Sequence, residues 1–265
     1  MKKAKLLQII EEICPSALAE PWDNCGFQID TGVLDYERAL VALEVTSEVI
    51  DEAEAEGADI IITHHPLIFE PLKHVYYNEF IGNSIFELLS NGISVYSCHT
   101  TFDKTVGGNN DYIGELLKLK DVRPFENDNG FCRRGDTAFE TTFIEMCHLA
   151  ADAFDIDEKY FRTVGKLTSL VNTVGWCSGA GGEFIADALR EGCDLYITGD
   201  LKHHEAQLAL ESGLCVLDAG HYGTEKIFTE NMAAKLRTIC CREDQEIEIV
   251  ESQADSNPFN SGRQL

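Results

Sequence analysis

The feature that most constrains this chain is an internal echo. Residues Glu56-Gly57-Ala58-Asp59-Ile60-Ile61-Ile62-Thr63 align on Glu191-Gly192-Cys193-Asp194-Leu195-Tyr196-Ile197-Thr198, matching Glu, Gly, Asp, Ile and Thr at one offset. An apolar run follows each copy, Ile93 to Cys98 in the first and Leu214 to Ala219 in the second. With one residue of slack, His99-x-x-x-Asp103 then falls on His221-x-x-x-Glu225. Two matches in the same order, on the same kinds of element, argue for a duplicated plan.

The local patterns say what that plan is. Ala4 to Cys14 sets Leu6, Leu7, Ile10 and Ile13 on one helical face and stops at Pro15. Ala39 to Val45 reads as a buried strand, Glu48 to Glu56 as a helix closed by Gly57, and Asp59 to Thr63 as a second strand, which makes one β-α-β unit. Phe80 to Ser90 gives a further helix before the strand at Ile93. The second copy runs through a strand at Leu170 to Trp176, a glycine-rich turn Ser178 to Gly182, a helix to Arg190 and a strand from Asp194. The expected fold is α/β, with two related halves and a site in the cleft between them. The polar segment Asp121 to Thr137, broken by Pro124 and Gly130, is the expected junction, giving halves at 1–125 and 126–265. From Gln253 onward the chain is too polar for a core element.

Composition excludes several roles. A formal net charge of -25 repels phosphate backbones and anionic lipid, so neither a nucleic acid nor a membrane is an expected partner. Glu11 and Glu12 interrupt the early apolar stretch where a signal peptide needs continuity, and no window reaches transmembrane length, so a cytoplasmic location is expected. The ten cysteines are scattered through apolar stretches without a C-x-x-C pair and read as reduced, buried thiols.

The chemistry concentrates at strand ends, where open parallel sheets keep their ligands. His64 and His65 follow one strand, His99 and Asp103 the next, Asp200 a third, and Asp218, His221 and Glu225 a fourth. Six of the eight histidines (His64, His65, His99, His203, His204 and His221) fall at such ends, whereas His74 and His148 read as a loop and a helix surface residue. His221 and Glu225, four apart at the start of a helix ending near Cys240, share one face and can grip one ion. The glycine-rich turn lacks the Gly-Lys-Ser/Thr of a P-loop; its N–H groups either meet an anion or only let strand and helix pack. Lys104, Lys202 and Lys226 lie beside these motifs and give an acidic protein a local cationic rim for an anionic substrate.

Four ordered motifs carry a family resemblance: Pro21-Trp22-Asp23-Asn24-Cys25-Gly26, Ile62-Thr63-His64-His65-Pro66-Leu67-Ile68-Phe69, Thr198-Gly199-Asp200-Leu201-Lys202-His203-His204, and Asp218-Ala219-Gly220-His221-Tyr222-Gly223-Thr224-Glu225. Together they resemble the Nif-three-like family of dinuclear-metal proteins, often labelled GTP cyclohydrolase I type-two homologues, from the first helix to Asn257-Pro258. The resemblance implies a metal pair between the two halves, held by His64, His65, Asp103, His221 and Glu225, with His99, Asp200 and His204 in the surroundings. It also implies a ring-shaped homohexamer. Two positions depart from the family pattern: Glu44 stands where Asp is usual, and Cys25 where an aliphatic residue is usual.

Three histidines and two carboxylates divide over two divalent ions, with Asp103 or Glu225 able to bridge, and N/O ligands suit zinc, iron, manganese or nickel alike. The expected function is hydrolysis of a small anionic, nucleotide-like or heterocyclic substrate, with His99 or His204 moving the proton and Lys104, Lys202 and Asp200 binding substrate. The alternative is a non-catalytic metal-binding or regulatory scaffold.

Overall fold

A computed structural model of the chain describes residues 1–126 and 129–259; the last residues of the polar tail lie outside the described set. The chain divides into two compact units. The first takes Met1–Thr105 together with Phe228–Ser256, and the second is built on Val106–Ile227.

The helices are α1 (Lys3–Ile13), α2 (Ser47–Glu56), α3 (Phe80–Asn91), α4 (His99–Lys104), α5 (Asn109–Leu116), α6 (Phe143–Phe154), α7 (Ile185–Arg190), α8 (His203–Glu211), α9 (His221–Glu225) and α10 (Phe228–Arg242). In the first unit, β1 (Gly26–Ile29), β2 (Arg38–Ala42), β3 (Ile60–Thr63), β4 (Ser94–Ser97) and, from the end of the chain, β11 (Glu248–Glu251) make one sheet. Its order is β1-β4-β3-β2-β11, with β4, β3, β2 and β11 parallel and β1 antiparallel. In the second unit, β5 (Lys120–Pro124), β6 (Arg133–Thr142), β7 (Arg162–Val164), β8 (Leu170–Trp176), β9 (Leu195–Thr198) and β10 (Cys215–Asp218) order as β5-β6-β8-β9-β10-β7 around a parallel centre β8-β9-β10. Each unit therefore contains three consecutive parallel strands with helices between them, which is the duplicated plan.

The central strands are buried along their whole length, as helix-covered parallel strands must be. Leu40, Ile61 and Val95 pack with Val49, Ile50 and Leu88 in the first unit. In the second, Trp176, Leu217 and Phe154 fill one cluster and Tyr196, Val216 and Ile185 another. Local signals act as the residue types require: Thr46 caps α2 by accepting from the Val49 N–H, and Gly57 closes it at φ 66°, a left-handed conformation natural to glycine.

Two expectations on organisation need correction. The polar segment expected as a junction is a hairpin of the second sheet, in which β5 pairs antiparallel with β6, and the break between units comes earlier, at Thr105–Val106. β5 is exposed at every residue, so its polarity is that of a sheet edge and not of a linker. The C-terminal helix and strand return to the first unit, where Ile249 pairs with Ala39. The helix expected from His221 to about Cys240 is also two helices: Ile227 is drawn into the core of the second unit and its neighbour Phe228 into that of the first. Among the described residues no helix is long and apolar enough to cross a membrane, and all ten cysteines are free, nine of them buried or half-buried.

Candidate metal centre

In the first unit the β3 strand ends in a turn that presents two imidazoles. The N–H groups of His64 (3.1 Å) and His65 (2.9 Å) both donate to the Leu43 carbonyl, the Thr63 hydroxyl donates to the His65 carbonyl (2.8 Å), and the Ser97 hydroxyl donates to that of His64 (2.7 Å). The strand end is thus fixed before any ligand arrives. His64 is fully buried, with its ring 5.0 Å from His65, 5.2 Å from His99 and 5.1 Å from Phe228 of α10. Donor atoms of His64, His65 and His99 all lie within 4.8 Å of one another. Asp103, four residues into α4 and also buried, brings Oδ1 to 3.6 Å from His64 Nε2. That separation exceeds a good hydrogen bond, while two donors that share an ion at about 2.1 Å each stand roughly 3 to 3.5 Å apart.

His99 is held from behind. Its Nδ1 is 2.8 Å from Asp23 Oδ1, and the other Asp23 oxygen accepts from the Thr100 N–H (3.1 Å), the Thr100 hydroxyl and the Cys25 thiol (2.9 Å). Burial works against charge on Asp23, yet hydrogen bonds from His99, Cys25 and Thr100 outweigh it and hold the carboxyl well below its ordinary value. Burial and the hydrogen bond to Asp23 push the Cys25 thiol up to about 12, so it stays a donor. An ionised carboxylate only accepts, which places the Nδ1 proton on His99 and turns its Nε2 lone pair outward. Asp23 carries no sequence signal beyond its loop motif, and its pairing with a residue 76 positions away is what the sequence reading missed.

In the second unit, His221 opens α9 after Gly220, whose φ of 83° sets the turn. His221 Nδ1 lies 2.8 Å from Asp200 Oδ2, and its Nε2 lies 2.9 Å from Oε2 of the buried Glu225. With Nδ1–H given to Asp200, the remaining nitrogen and a carboxylate oxygen are two acceptors face to face, and only a proton or a metal ion reconciles them. Gly179, at φ 64°, makes room for this carboxylate: a Cβ there would stand 2.1 Å from Glu225 Oε1. Gly199 lets the strand end approach α9, since its Cβ would meet the His221 N at 2.4 Å.

The other expected site residues divide clearly. Asp218 is buried and spent on the Leu201 N–H (3.2 Å), the Gly220 N–H (3.0 Å) and Arg162, so it is a structural brace. His204 stands exposed on α8 with its ring 5.4 Å from His203. The cationic rim is not a row of open charges: Lys104 Nζ is 2.7 Å from Glu20 and Lys226 Nζ 3.0 Å from Asp155, while the exposed Lys202 lies 3.7 Å from Glu205. The glycine-rich turn is no anion cradle, because the N–H groups of Ser178, Gly179 and Gly181 donate to Asn110, Thr224 and Thr198. Both departures from the family pattern sit close to the chemistry, with Cys25 on Asp23 and Glu44 Oε2 at 3.9 Å from His65 Nδ1.

Fold and donors together define a two-half α/β protein with histidine and carboxylate groups at its strand ends. The Duf34/NIF3 (NGG1p interacting factor 3) family model matches residues 1–258, and the chain belongs to that family. It is 33% identical over 264 residues to the GTP cyclohydrolase 1 type 2 homolog of Clostridium perfringens (strain 13 / Type A), covering 98% of this chain and 99% of the relative. Among solved structures, reduced HcgD from Methanocaldococcus jannaschii matches with a TM-score of 0.80 at 31% identity, covering 96% of this chain and 98% of that one. A Bacillus cereus protein related to NIF3 matches with a TM-score of 0.91 at 24% identity, covering 98% and 99%, and shares the fold.

Proposed function

We propose that this protein holds two divalent ions, with His64, His65 and Asp103 given by one half and His221 and Glu225 by the other, and that it hydrolyses a small anionic nucleotide-like or heterocyclic substrate. The observation that carries the reading is the gathering of His64, His65 and His99 donor atoms within 4.8 Å of one another at the ends of β3 and β4, with Asp103 Oδ1 3.6 Å from His64 Nε2. The relatives' label, GTP cyclohydrolase 1 type 2 homolog, agrees with it in class.

A bound pair of divalent ions supplies Lewis acidity and an activated water. The chain's residues do the rest. Asp23 and Asp200 orient His99 and His221 through their Nδ1 atoms, which fixes ring direction and raises donor basicity. His99 accepts or returns a proton at Nε2, and its anchored ring suits that role better than the exposed ring of His204. The candidate groups contain histidine and carboxylate donors and no thiol, which makes nitrogen and oxygen the donor set. The ring-shaped homohexamer belongs to the same proposal.

Elemental analysis after reconstitution with zinc, manganese and iron in turn tests the metal pair; content near zero with all three removes it. A nucleotide and cyclic-amide turnover panel tests the chemistry, and metal-loaded protein without turnover leaves the scaffold as the better account. Light scattering tests assembly, and a clean 29.5 kDa monomer removes the ring.

A further inference from the structure

The loop from Trp22 to Cys25 commits three of its four side chains to holding itself in place. Asp23 is tied to His99 and Thr100, and Cys25 donates to Asp23. Asn24 Nδ2 donates to the Ile68 carbonyl (2.6 Å), while Gln28 Oε1 accepts from the Ile68 N–H (3.1 Å). Trp22 is the exception. The residue is 59% exposed, and its ring stands edge-to-face with Phe69 (centroids 6.1 Å apart, 65°) and with His99 (6.1 Å, 77°). Phe69 is itself 46% exposed and meets His99 at 6.2 Å and 86°.

Single exposed apolar residues are ordinary. Two large rings in mutual contact, braced against a histidine of the donor cluster, are a different arrangement. The backbone under Phe69 is pinned through Ile68 and that beside Trp22 through Asp23, so both rings are held without being buried. A ligand that covers them gains their apolar area and does not have to order a loop. Most of the indole surface stays open, and flat ring faces suit a flat partner, whose polar edge then meets the imidazole of His99.

We propose that Trp22 and Phe69 form a stacking site for a planar nitrogen heterocycle, such as a purine, pyrimidine or pterin ring, with one edge turned toward His99. The inference rests on the metal-centre reading above for what that edge meets. It assigns the ring of the substrate, where that reading leaves nucleotide-like and other heterocyclic compounds open.

Trp22 and Trp176 are the two tryptophans of the chain, and Trp176 is fully buried, so quenching by ligand reads Trp22. Guanosine, cytidine and pterin are titrated into the full chain, metal-free and zinc-loaded, with ribose 5-phosphate as the control that has no aromatic ring. At least one heterocycle quenches saturably and shields Trp22 from acrylamide, and the control does neither. By equilibrium dialysis Trp22→Phe, which keeps a stacking face, binds within about threefold of wild type, and Trp22→Ala binds about tenfold more weakly or worse. Failure of all three rings to quench, or equal binding by Trp22→Ala, overturns the stacking site. So does a Trp22→Ala variant whose sedimentation changes while its ligand binding does not, because the corner is then an assembly contact. Zinc content measured on the same samples separates the readings. Zinc uptake without ring binding sinks this inference alone, and ring binding without uptake of zinc, manganese or iron sinks the metal centre alone.

Discussion

In the first half, Asp59 accepts from the N–H groups of Glu37 (2.6 Å) and Arg38 (3.0 Å), and its carbonyl accepts from Ser94 (2.9 Å). In the second, Asp194 accepts from Asn172 (2.8 Å) and Thr173 (3.0 Å), and its carbonyl accepts from Cys215 (3.1 Å). Thr63 and Thr198 continue the match, their carbonyls accepting from Cys98 and Ala219 at 2.8 Å each. The halves also hold their strand-end histidines alike, through an aspartate 2.8 Å from Nδ1 of His99 and of His221. They differ in where that aspartate comes from and in what the histidine meets next. Asp23 arrives from a distant loop and is buried, whereas Asp200 follows directly on its own strand and is half exposed. Glu225 turns back onto His221, whereas Asp103 turns onto His64. A duplicated scaffold keeps its backbone wiring because every strand needs it, while its side chains are free to specialise.

The largest effect expected from breaking this comparison is on metal content. Asp103→Ala and Glu225→Ala each remove one carboxylate from an equivalent helix position, and each should cut bound zinc per chain by about half or more. A variant that retains the full wild-type content, read by elemental analysis, shows that its half does not contribute. Next come the aspartates behind the rings. Asp200→Ala, behind the proposed ligand His221, should weaken zinc binding by about 10- to 100-fold with the ligands intact, and Asp23→Ala, behind a histidine outside the proposed ligand set, should weaken it less. Competition against a chelator of known affinity measures this, and an equal or larger loss in Asp23→Ala would mean that His99 is itself a ligand.

The scaffold carboxylates give the third test. Asp59→Ala and Asp194→Ala each leave two backbone N–H groups without their partner and should each cost about 2 kcal/mol in urea unfolding. Costs that differ by several-fold would show that the shared wiring supports the two halves unequally. The smallest effect is with acid. The folded-state value of Asp23 lies below its unfolded value near 3.9, so its ionised form contributes stability that is complete above about pH 4 and is lost as pH falls toward the folded value. Asp23→Asn should therefore show a shallower loss of urea midpoint below about pH 4 than wild type; parallel curves would show that the hydrogen bonds to Asp23 do not favour its charge.

Sequence by itself determined whatever is local. The buried runs at Ile60–Thr63 and Leu195–Thr198, the Gly57 cap, the echo between halves and the His-x-x-x-acid spacing of His221 and Glu225 all follow from short-range sterics, periodicity and helix geometry. What only tertiary structure decided is long-range. It joined β11 to β2 across some 200 residues, set Phe228 against the His64 ring, turned an expected linker into a sheet edge, and brought Asp23 behind His99. Parallel pairing and a buried hydrogen bond between distant loops impose no period on the residues that make them, so nothing in the local pattern announces either.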